Sequence, residues 1–274
     1  MSAASPAEIL ATHTPALFAA AVKRAAALLR DGEVVALPTE TVYGLAANAL
    51  NPAAVAKIYQ LKGRPAHNPI IVHVDGLDMA RECVRAWPPG ADRLAGAFWP
   101  GPLTLVLPRS PKIPELVTAG GDTVGVRWPQ HPFMRAVIRE CGFPLAAPSA
   151  NLSNQLSPTN ADHVFKQLGN QLRLIVDGGQ ANVGIESTVV DLTVSPPAVL
   201  RPGMIHAESL AAVLGTAECE TRNTEAAQVL RSPGQLPKHY SPQARLLVLS
   251  WREEADLLPP ARRAPAVVPG ENSV

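Results

Sequence analysis

Short apolar runs that alternate with longer helical patterns constrain this fold more than any other feature of the sequence. The runs have the length and β-branched content of buried strands, and they lie at 34–37, 70–74, 103–107, 123–127, 145–147, 172–176, 187–192 and 198–201. Helical patterns lie at 15–31, 52–62, 89–98, 132–141 and 159–169. This alternation predicts an α/β domain with helices on both faces of its sheet. Two strands follow each other closely at 187–201, so we expect a mixed sheet.

Proline and glycine mark the ends of the first two helical patterns. Thr14 and Asn51 each precede a proline, and this pair of residue types is typical of an N-cap and the first helical position. Gly32 and Gly63 follow the last apolar positions, where glycine commonly ends a helix. Lys62 is therefore expected in the last turn of the second helix.

Composition excludes several classes of protein. The 24 Lys and Arg against 23 Asp and Glu give a net charge of +1, which does not favour nucleic acid or anionic membranes as the main partner. The 3 cysteines are too few and too scattered for a disulfide framework or a paired-cysteine zinc site. No apolar run reaches the length of about 18 residues that a membrane span needs, and the N-terminus has no signal-peptide pattern. We expect a cytoplasmic protein.

The composition changes after about residue 215. Residues 216–242 are polar and irregular, and the remainder is rich in proline. We predict a catalytic domain over 1–215, a linker over 216–242 and a C-terminal stub and tail over 243–274. The chain after Tyr240 has 274 − 240 = 34 residues, too few for a second independent domain.

Polar side chains are concentrated where the predicted strands and one helix end. The sequence lacks a phosphate-binding P-loop, a dinucleotide fingerprint, a zinc-protease motif and a serine nucleophile elbow. Instead, hydroxyls, an amide, a histidine and cations lie at the ends of elements: Thr39, Thr41, Lys62, Arg64, His73, Thr123, Arg127, Ser149, Asn151, Ser187 and Arg201. Ligands of open α/β sheets bind at strand ends, and cations with hydroxyls suit a polyphosphate or a carboxylate. Taken singly, each residue also fits a helix cap, a turn or a salt bridge.

The order and spacing of these residues resemble a known family. Lys62-x-Arg64 followed by Ser149-x-Asn151 matches the paired KxR and SxN signature of the YrdC/TsaC family, the threonylcarbamoyl-AMP synthases. Longer words also match in order: PTETVYGL at 38–45, KGRP at 62–65, NPIIVHV at 68–74, FWPGPLTLVL at 98–107, APSAN at 147–151, SPT at 157–159, DGG at 177–179, GIESTVVDL at 184–192 and LRPG at 200–203. The resemblance covers about residues 15–215 and implies a YrdC-like, open, twisted mixed sheet.

The linker resembles that of the longer, two-domain form of the family. The matching words are SPG at 232–234 and KHYSP at 238–242. In that form the linker folds back over the active site, so the resemblance implies a lid that contains His239 and Tyr240. Pro237 departs from the aromatic residue often found there, and the resemblance implies a truncated C-terminal domain.

The resemblance implies a nucleotidyltransferase that makes L-threonylcarbamoyladenylate and pyrophosphate from L-threonine, bicarbonate or CO2, and ATP with Mg²⁺. Carried over residue by residue, the family pattern makes Lys62, Arg64, Ser149 and Asn151 catalytic. The same four residues bind ATP together with Asn68, Ser157 and Arg201. Threonine is expected to bind Thr39, His73, Thr123, Arg127, the main chain at Ala147, and Ser187. No protein side chain is expected to hold the metal, since Mg²⁺ keeps mostly waters and phosphates.

The resemblance also implies partners. The product is an intermediate of threonylcarbamoyladenosine formation in tRNA, so a tRNA threonylcarbamoyltransferase complex is expected downstream, with weak tRNA binding by this chain. Two alternatives stay open. One is the related carbamoyl-adenylate-handling domain of hydrogenase-maturation carbamoyltransferases, although the low cysteine count does not fit their zinc-finger pairs. The other is an RNA-binding module that uses a concave site lined with Lys and Arg.

Overall fold

The computed structural model describes residues 6–216, 219–221 and 230–233. The predicted lid residues His239 and Tyr240, most of the predicted linker and the whole of 243–274 lie outside them. The helices are α1 Pro15–Arg30, α2 Pro52–Lys62, α3 Leu77–Glu82, α4 Pro89–Phe98, α5 Pro132–Cys141, α6 Ala161–Leu168 and α7 Ala207–Leu214. The strands are β1 Glu8–Ala11, β2 Val35–Leu37, β3 Gly44–Asn48, β4 Val72–His73, β5 Leu103–Pro108, β6 Thr123–Arg127, β7 Leu145–Ala146, β8 Leu174–Asp177, β9 Thr188–Asp191, β10 Ala198–Arg201 and β11 Glu220–Thr221.

The described strands form one mixed sheet in the order β1-β8-β2-β3-β7-β4-β6-β5-β9-β10-β11. The pairs β1–β8, β2–β8, β4–β6, β5–β9 and β10–β11 are parallel. The remaining pairs are antiparallel, including β9–β10, which the closely spaced runs at 187–201 predicted. The predicted α/β class with a mixed sheet is confirmed. No helix among the described residues is long and apolar enough to cross a bilayer.

Apolar side chains pack on both faces of the sheet. In β2 the side chain of Ala36 belongs to one core cluster, and those of Val35 and Leu37 belong to the other. The same alternation occurs in β8, where Ile175 faces the first cluster and its two neighbours face the second. Successive strand residues point to opposite faces, so a strand that is apolar throughout is covered on both sides.

The helix ends confirm the capping pattern seen in the sequence. Thr14 accepts a hydrogen bond from the main chain of Leu17, and Asn51 accepts from the first turn of α2. Gly63 ends α2 with a left-handed φ of 57°, a conformation that costs glycine little. This ending places Lys62 in the last turn of α2 and directs the chain toward Arg64.

Several elements differ from the sequence prediction. β1, β3, α3, α7 and β11 were not predicted. β3 has the sequence GLAAN, which lacks β-branched residues, yet it forms a strand because β2 and β7 pair with its two sides. The run at 70–74 contributes only Val72–His73 to the sheet, because the main chain of Ile70 bonds to Val117 instead.

The sheet topology brings the polar segments of the sequence together at one end of the strands. β4 and β6 are parallel neighbours, so His73 and Arg127 end them side by side. β9 runs antiparallel to β10, and therefore the start of β9 lies beside Arg201 at the end of β10. The segment after β2 returns as β3 at the same end.

Candidate active site

A cleft opens at this end of the strands and contains about 470 Å³ of empty space, part of it open to solvent. Its described lining residues come from segments that are far apart in the sequence: Thr39, Thr41, Val42, Gly44, Arg64, Ile71, His73, Arg127, Ala147, Pro148, Ser149, Glu186, Ser187, Arg201 and Pro233. Two sets of contacts divide the polar residues around it. We call Thr39, Glu40, Thr41, His73 and Arg127 the Arg127 group, and Lys62, Arg64, Ser149, Glu186 and Arg201 the Arg64 group.

Arg127 is held from three sides. Its Nη2 donates to Glu40 Oε1 at 2.6 Å, its Nη1 to Thr41 Oγ1 at 2.9 Å, and its Nε to the Gly101 carbonyl at 3.2 Å. Both ionic partners are buried, with side chains only 4% and 5% exposed. Three of the five N–H groups of the guanidinium are thus used within the described part of the chain, and one remains on each terminal nitrogen. That remaining pair suits a bidentate carboxylate.

Glu40 stays ionised beside Arg127. Burial acts to raise the pKa of its carboxyl, but the Arg127 charge and hydrogen bond, with main-chain N–H groups, outweigh burial and lower the pKa below its ordinary value. Its second oxygen, Oε2, is buried and has no hydrogen-bond partner among the described residues.

The loop that carries Glu40 is braced by its own hydroxyls. Thr39 Oγ1 donates to the Val42 carbonyl at 2.6 Å and lies 2.9 Å from Thr41 Oγ1. It also accepts from the main-chain N–H groups of Thr41 and Val42. This hydroxyl-braced turn directs Thr41 toward Arg127.

His73 is buried beside Arg127 and is neutral. Burial, and next the Arg127 charge, lower the pKa of its imidazole to about 3, although Glu40 and Glu186 act in the opposite direction. Its Nδ1 has no hydrogen-bond partner among the described residues. His73 can therefore exchange hydrogen bonds with a ligand near neutral pH but cannot serve as a cation there.

Arg64 is anchored by oxygens of the loop that follows it. Its Nε donates to the Asn68 carbonyl at 3.0 Å, and its Nη2 donates to Asn68 Oδ1 at 2.9 Å and to the Pro69 carbonyl. Tyr59 also donates to the Asn68 carbonyl. Desolvation lowers the pKa of Arg64 only to about 10, so the guanidinium stays charged. Its Nη1 has no hydrogen bond within the described ranges.

Lys62 is not a lining residue of the cleft; its side chain binds the main chain of the 149–151 loop. Its Nζ donates to the carbonyls of Ser149 and Asn151, each at 2.5 Å, and to Asn151 Oδ1 at 3.4 Å. These three acceptors use the whole donor capacity of the ammonium group. Burial, and next the charge of Arg64, lower the pKa of Lys62 to about 7. Asn151 points into the same loop and donates to the Leu152 and Gln155 carbonyls.

Arg201 and Ser187 form a buried unit with Thr104. Arg201 donates through Nε and Nη2 to the Ser187 carbonyl at 3.0 and 2.9 Å, and through Nη2 to Ser187 Oγ at 2.9 Å. Ser187 Oγ lies 2.8 Å from Thr104 Oγ1, which is fully buried in β5. A Cβ on Gly203 would come within 2.7 Å of the Glu186 carbonyl oxygen and 2.5 Å of the Thr188 nitrogen. The segment 200–203 therefore needs glycine at position 203 in order to pack closely against residues 186–188.

Glu186 is the carboxylate that faces the cleft from the Arg64 group. Its Oε1 accepts from Ser157 at 2.8 Å, and its Oε2 lies 3.6 Å from Arg201 Nη1. Pro233, from the predicted linker, also lines the cleft. Its neighbour Arg231 forms an ion pair with Asp191 at 2.9 Å, and this pair ties residues 230–233 to the end of β9.

Eight of the predicted site residues line the cleft: Thr39, Arg64, His73, Arg127, Ala147, Ser149, Ser187 and Arg201. Lys62, Asn68 and Ser157 are not among the lining residues but form hydrogen bonds to them, and Asn151 is linked to Ser149 through Lys62. Thr123 starts β6, the strand that Arg127 ends, and pairs with Pro108, so it lies away from the cleft lining. The structure describes no group of three or more His, Cys, Asp or Glu that could hold a metal ion within the ranges given above.

No role was predicted from the sequence for Glu40, Thr104 or Glu186. Glu40 lies between Thr39 and Thr41 shortly after a buried strand, and Glu186 lies directly before Ser187 and Thr188 at the start of another, so an acidic residue beside hydroxyls at a strand end was an available signal. Thr104 carried none, because it lies inside an apolar strand.

Comparisons with known proteins identify the family of this chain. The family model for Sua5, YciO and YrdC, described as telomere recombination, matches residues 27–203. A second model, described as threonylcarbamoyl-AMP synthase, C-terminal domain, matches residues 205–266.

Individual relatives show the same likeness. The threonylcarbamoyl-AMP synthase of Bacillus subtilis is 47% identical over 234 residues, which cover 85% of this chain and 68% of that protein. The enzyme of the same name from Pyrococcus abyssi is 43% identical over 229 residues, covering 83% and 67%. The crystal structure of P. abyssi Sua5 complexed with L-threonine superposes with a TM-score of 0.79 at 43% identity, covering 81% of this chain and 66% of that one. On these matches, the chain belongs to the Sua5/YciO/YrdC family of threonylcarbamoyl-AMP synthases.

Proposed function

We propose that this chain makes L-threonylcarbamoyladenylate and pyrophosphate from L-threonine, bicarbonate or CO2, and ATP, with the two ends of the cleft dividing the substrates between them. The observation that carries the proposal is the cleft itself, where Arg64, Arg127 and Arg201 meet hydroxyls from separate words of the sequence. Membership of the synthase family supports it, since relatives from a bacterium and an archaeon have this activity as their name.

Threonine binds the Arg127 group. The two N–H groups that Arg127 keeps on its terminal nitrogens receive the α-carboxylate in a bidentate contact. The Thr39 and Thr41 hydroxyls, neutral His73 and the main chain at Ala147 line the same end and receive the remaining polar groups of the amino acid. Ser187, held by Thr104, lies between the two ends.

The triphosphate of ATP binds the Arg64 group. Arg64 keeps its Nη1 for phosphate oxygens, and Arg201 presents its Nη1 near Glu186. Ser149 lines the cleft with a hydroxyl that has no hydrogen bond to any other described residue. Lys62 and Asn151 act one layer behind, because the Lys62 ammonium holds the Ser149 carbonyl and so places this hydroxyl.

The chemistry needs positioning and charge stabilisation more than a strong protein base. The deprotonated threonine amine forms a C–N bond with CO2, which gives a carbamate and a proton, or with bicarbonate, which gives a carbamate and water. A carbamate oxygen then attacks the α-phosphorus and forms the mixed anhydride as the bond to pyrophosphate breaks. Holding the two reactants in line removes most of their translational and rotational freedom. The Arg64 and Arg201 guanidiniums stabilise the charge that develops on the phosphates, and losing such a donor typically costs about 10²–10³ in rate.

Mg²⁺ would be bound together with ATP, where it would supply neutralisation of part of the phosphate charge. The donor set fits a metal held chiefly by phosphates and waters, since the described cleft offers the single carboxylate Glu186 and no three-residue metal cluster.

The product is a reactive mixed anhydride that a second enzyme must consume. We assign that step to a tRNA threonylcarbamoyltransferase complex in the cytoplasm, with weak tRNA binding by this chain.

A direct assay tests the function. The protein is incubated with L-threonine, labelled bicarbonate, ATP and Mg²⁺, and pyrophosphate and labelled threonylcarbamoyl-AMP are followed. We expect release of pyrophosphate only when threonine and bicarbonate are both present. Threonine-independent release, or none, contradicts the proposal. Substituting carbamoyl phosphate for threonine plus bicarbonate tests the carbamoyltransferase alternative, and we expect no product.

A further inference from the structure

The three arginines of the cleft differ in what neutralises them. Among the described residues, the hydrogen bonds of Arg64 go to the uncharged oxygens of Asn68 and Pro69, and the Glu186 carboxylate acts on its charge without a direct ion pair. Arg201 lies 3.6 Å from a Glu186 carboxylate whose side chain is 18% exposed. Arg127 has a carboxylate at 2.6 Å, and both side chains of this pair are shielded from water. Arg127 is therefore the arginine whose charge is most completely cancelled before any substrate arrives.

A cation whose charge is already cancelled attracts an anion only weakly. An ion pair in a buried site presents little net field, so an incoming group gains from Arg127 mainly through the two remaining N–H donors. The second Glu40 oxygen adds to this effect, because it is buried and lacks a hydrogen-bond donor among the described residues. A multiply charged group placed on Arg127 would meet that negative oxygen with little compensation from bulk water.

The substrates of the proposed reaction differ in this property. The amino acid is a zwitterion with one carboxylate, whereas ATP and pyrophosphate carry several negative charges. All the groups that recognise them face one continuous cleft. Without some device, phosphate groups would also occupy Arg127, since guanidinium binds phosphate and carboxylate with similar geometry.

We propose that Glu40 is a specificity-determining residue that cancels the charge of Arg127, and so reserves this arginine for the carboxylate of the amino acid while excluding phosphate groups. The inference rests on the proposed function, because it assigns the Arg127 group to threonine. Glu40 acts through Arg127 and is a positioning residue as well, since it anchors one terminal nitrogen of the guanidinium.

Sulfate is the probe, because it resembles a phosphate group and does not react. The full-length wild type, E40Q, E40D and T41V are titrated with L-threonine and with sodium sulfate by calorimetry, at an ionic strength held constant with sodium chloride. E40Q keeps an oxygen for the Arg127 hydrogen bond but removes the charge. E40D keeps the charge on a shorter side chain. T41V removes the neutral anchor at 2.9 Å without altering charge, and is the matched control.

In the wild type, sulfate is expected to compete with ATP and not with threonine. In E40Q, sulfate binding at Arg127 should strengthen about tenfold or more, because one buried countercharge is lost, and sulfate should then compete with threonine. E40D and T41V should bind threonine several-fold more weakly without gaining sulfate competition. A merely structural role for Glu40 would weaken all ligands together and lower the melting temperature in proportion.

Three outcomes overturn the inference. The first is competition between sulfate and threonine in the wild type, a measurement that needs no variant to fold. The second is an E40Q variant with unchanged sulfate affinity and intact threonine binding, which overturns the inference but leaves the proposed function standing. A wild type that binds no threonine overturns the proposed function together with the inference.

Discussion

The Arg127 group and the Arg64 group both contribute residues to one cleft and use similar residue types, yet their cations are paired in different ways. In the Arg127 group the cation is paired with a buried carboxylate at 2.6 Å. In the Arg64 group, Lys62 and Arg64 donate to carbonyl and amide oxygens, and the carboxylate of the group, Glu186, lies 3.6 Å from Arg201 and is 18% exposed. Under the proposed function, the first arrangement recognises mainly by hydrogen-bond geometry and the second mainly by the charges of Arg64 and Arg201. This is the difference we expect if a zwitterionic amino acid binds the Arg127 group and a polyphosphate binds the Arg64 group.

The two groups also differ in how directly their cations reach the cleft. Arg127 and Arg64 line it, whereas Lys62 is turned toward the main chain of the 149–151 loop. The KxR signature thus joins one residue that lines the cleft, Arg64, and one that holds the 149–151 loop, Lys62. Variants that replace Arg64 and Lys62 one at a time test this difference in role.

The largest effect is expected for R64A. Loss of the guanidinium removes the charge that is left for phosphate, so turnover should fall about 10²–10³-fold. Pyrophosphate release measures the effect, and the thermal unfolding midpoint checks that the fold survives. R81A is the matched control, since Arg81 is half-exposed and pairs with the equally exposed Asp92. R64A with near-normal turnover would remove Arg64 from the site and end the contrast between the two groups.

The next effect is a loss of stability in K62M. Methionine leaves the Ser149 and Asn151 carbonyls without their donor, so the free energy of unfolding at neutral pH should fall by about 1–3 kcal/mol. Denaturant titration measures it. K57M, on the same helix but with a side chain that is 41% exposed, should change stability by at most about 1 kcal/mol. Equal losses in the two variants would show that Lys62 does not hold the loop.

The pH dependence of this difference has a defined sign. The pKa of Lys62 is about 7 in the folded protein against an ordinary 10.5, so between these values the unfolded chain binds more protons. The lysine's contribution to stability therefore rises with pH across that window, by no more than about 1.4 kcal/mol per pH unit. The stability of the wild type minus that of K62M should grow from pH 7 toward 10. A gap that shrinks in this range would show that the ammonium is not strained by burial.

A smaller effect is expected for T104V, at the junction between the two groups. Valine removes the hydroxyl that supports Ser187 Oγ, and one such hydrogen bond contributes about 0.5–1.5 kcal/mol, so the KM for threonine should rise about 2–10-fold. T104S keeps the hydroxyl and should restore the KM. If T104V keeps the wild-type KM while T104S raises it, packing of the methyl group and not the hydrogen bond is responsible.

The smallest effect is expected at His73. Because its pKa is about 3, the imidazole should stay neutral between pH 5 and 8, and its NMR signals should not titrate there. The H73Q variant identifies those signals. An imidazole that titrates near its ordinary pKa would place a second cation in the Arg127 group and weaken the contrast in charge.

Local patterns predicted much of the fold because they depend on neighbouring residues. The α1 and α2 boundaries follow from caps and prolines within a few residues of each other, and the apolar runs at 103–107 and 123–127 became β5 and β6. β3 could not be predicted in this way, because its small residues become a strand only through pairing with β2 and β7. α7 lacked a side-chain cap to mark its start.

In the candidate site, too, residues with a local sequence signal were predicted and their distant partners were not. Residue types and word order identified Lys62, Arg64, Arg127, Ser149 and Arg201. The hydrogen-bond partners of these residues had no local signal, because they lie far away along the chain. The separations are 87 positions for Glu40 and Arg127, 89 for Lys62 and Asn151, and 83 for Thr104 and Ser187. Lys62 shows the consequence, because its sequence context fits a phosphate ligand and its structure shows a loop anchor.

The sequence by itself determined the strands and helices with strong local signals and the set of cations, hydroxyls and amides available for catalysis. Tertiary structure alone decided which of those cations is neutralised, which faces a ligand and which supports a loop. The physical reason is distance: hydrogen bonds and buried ion pairs act over about 3–4 Å. The non-sequential strand order of the sheet, and not the spacing along the chain, brings Glu40 within 2.6 Å of Arg127.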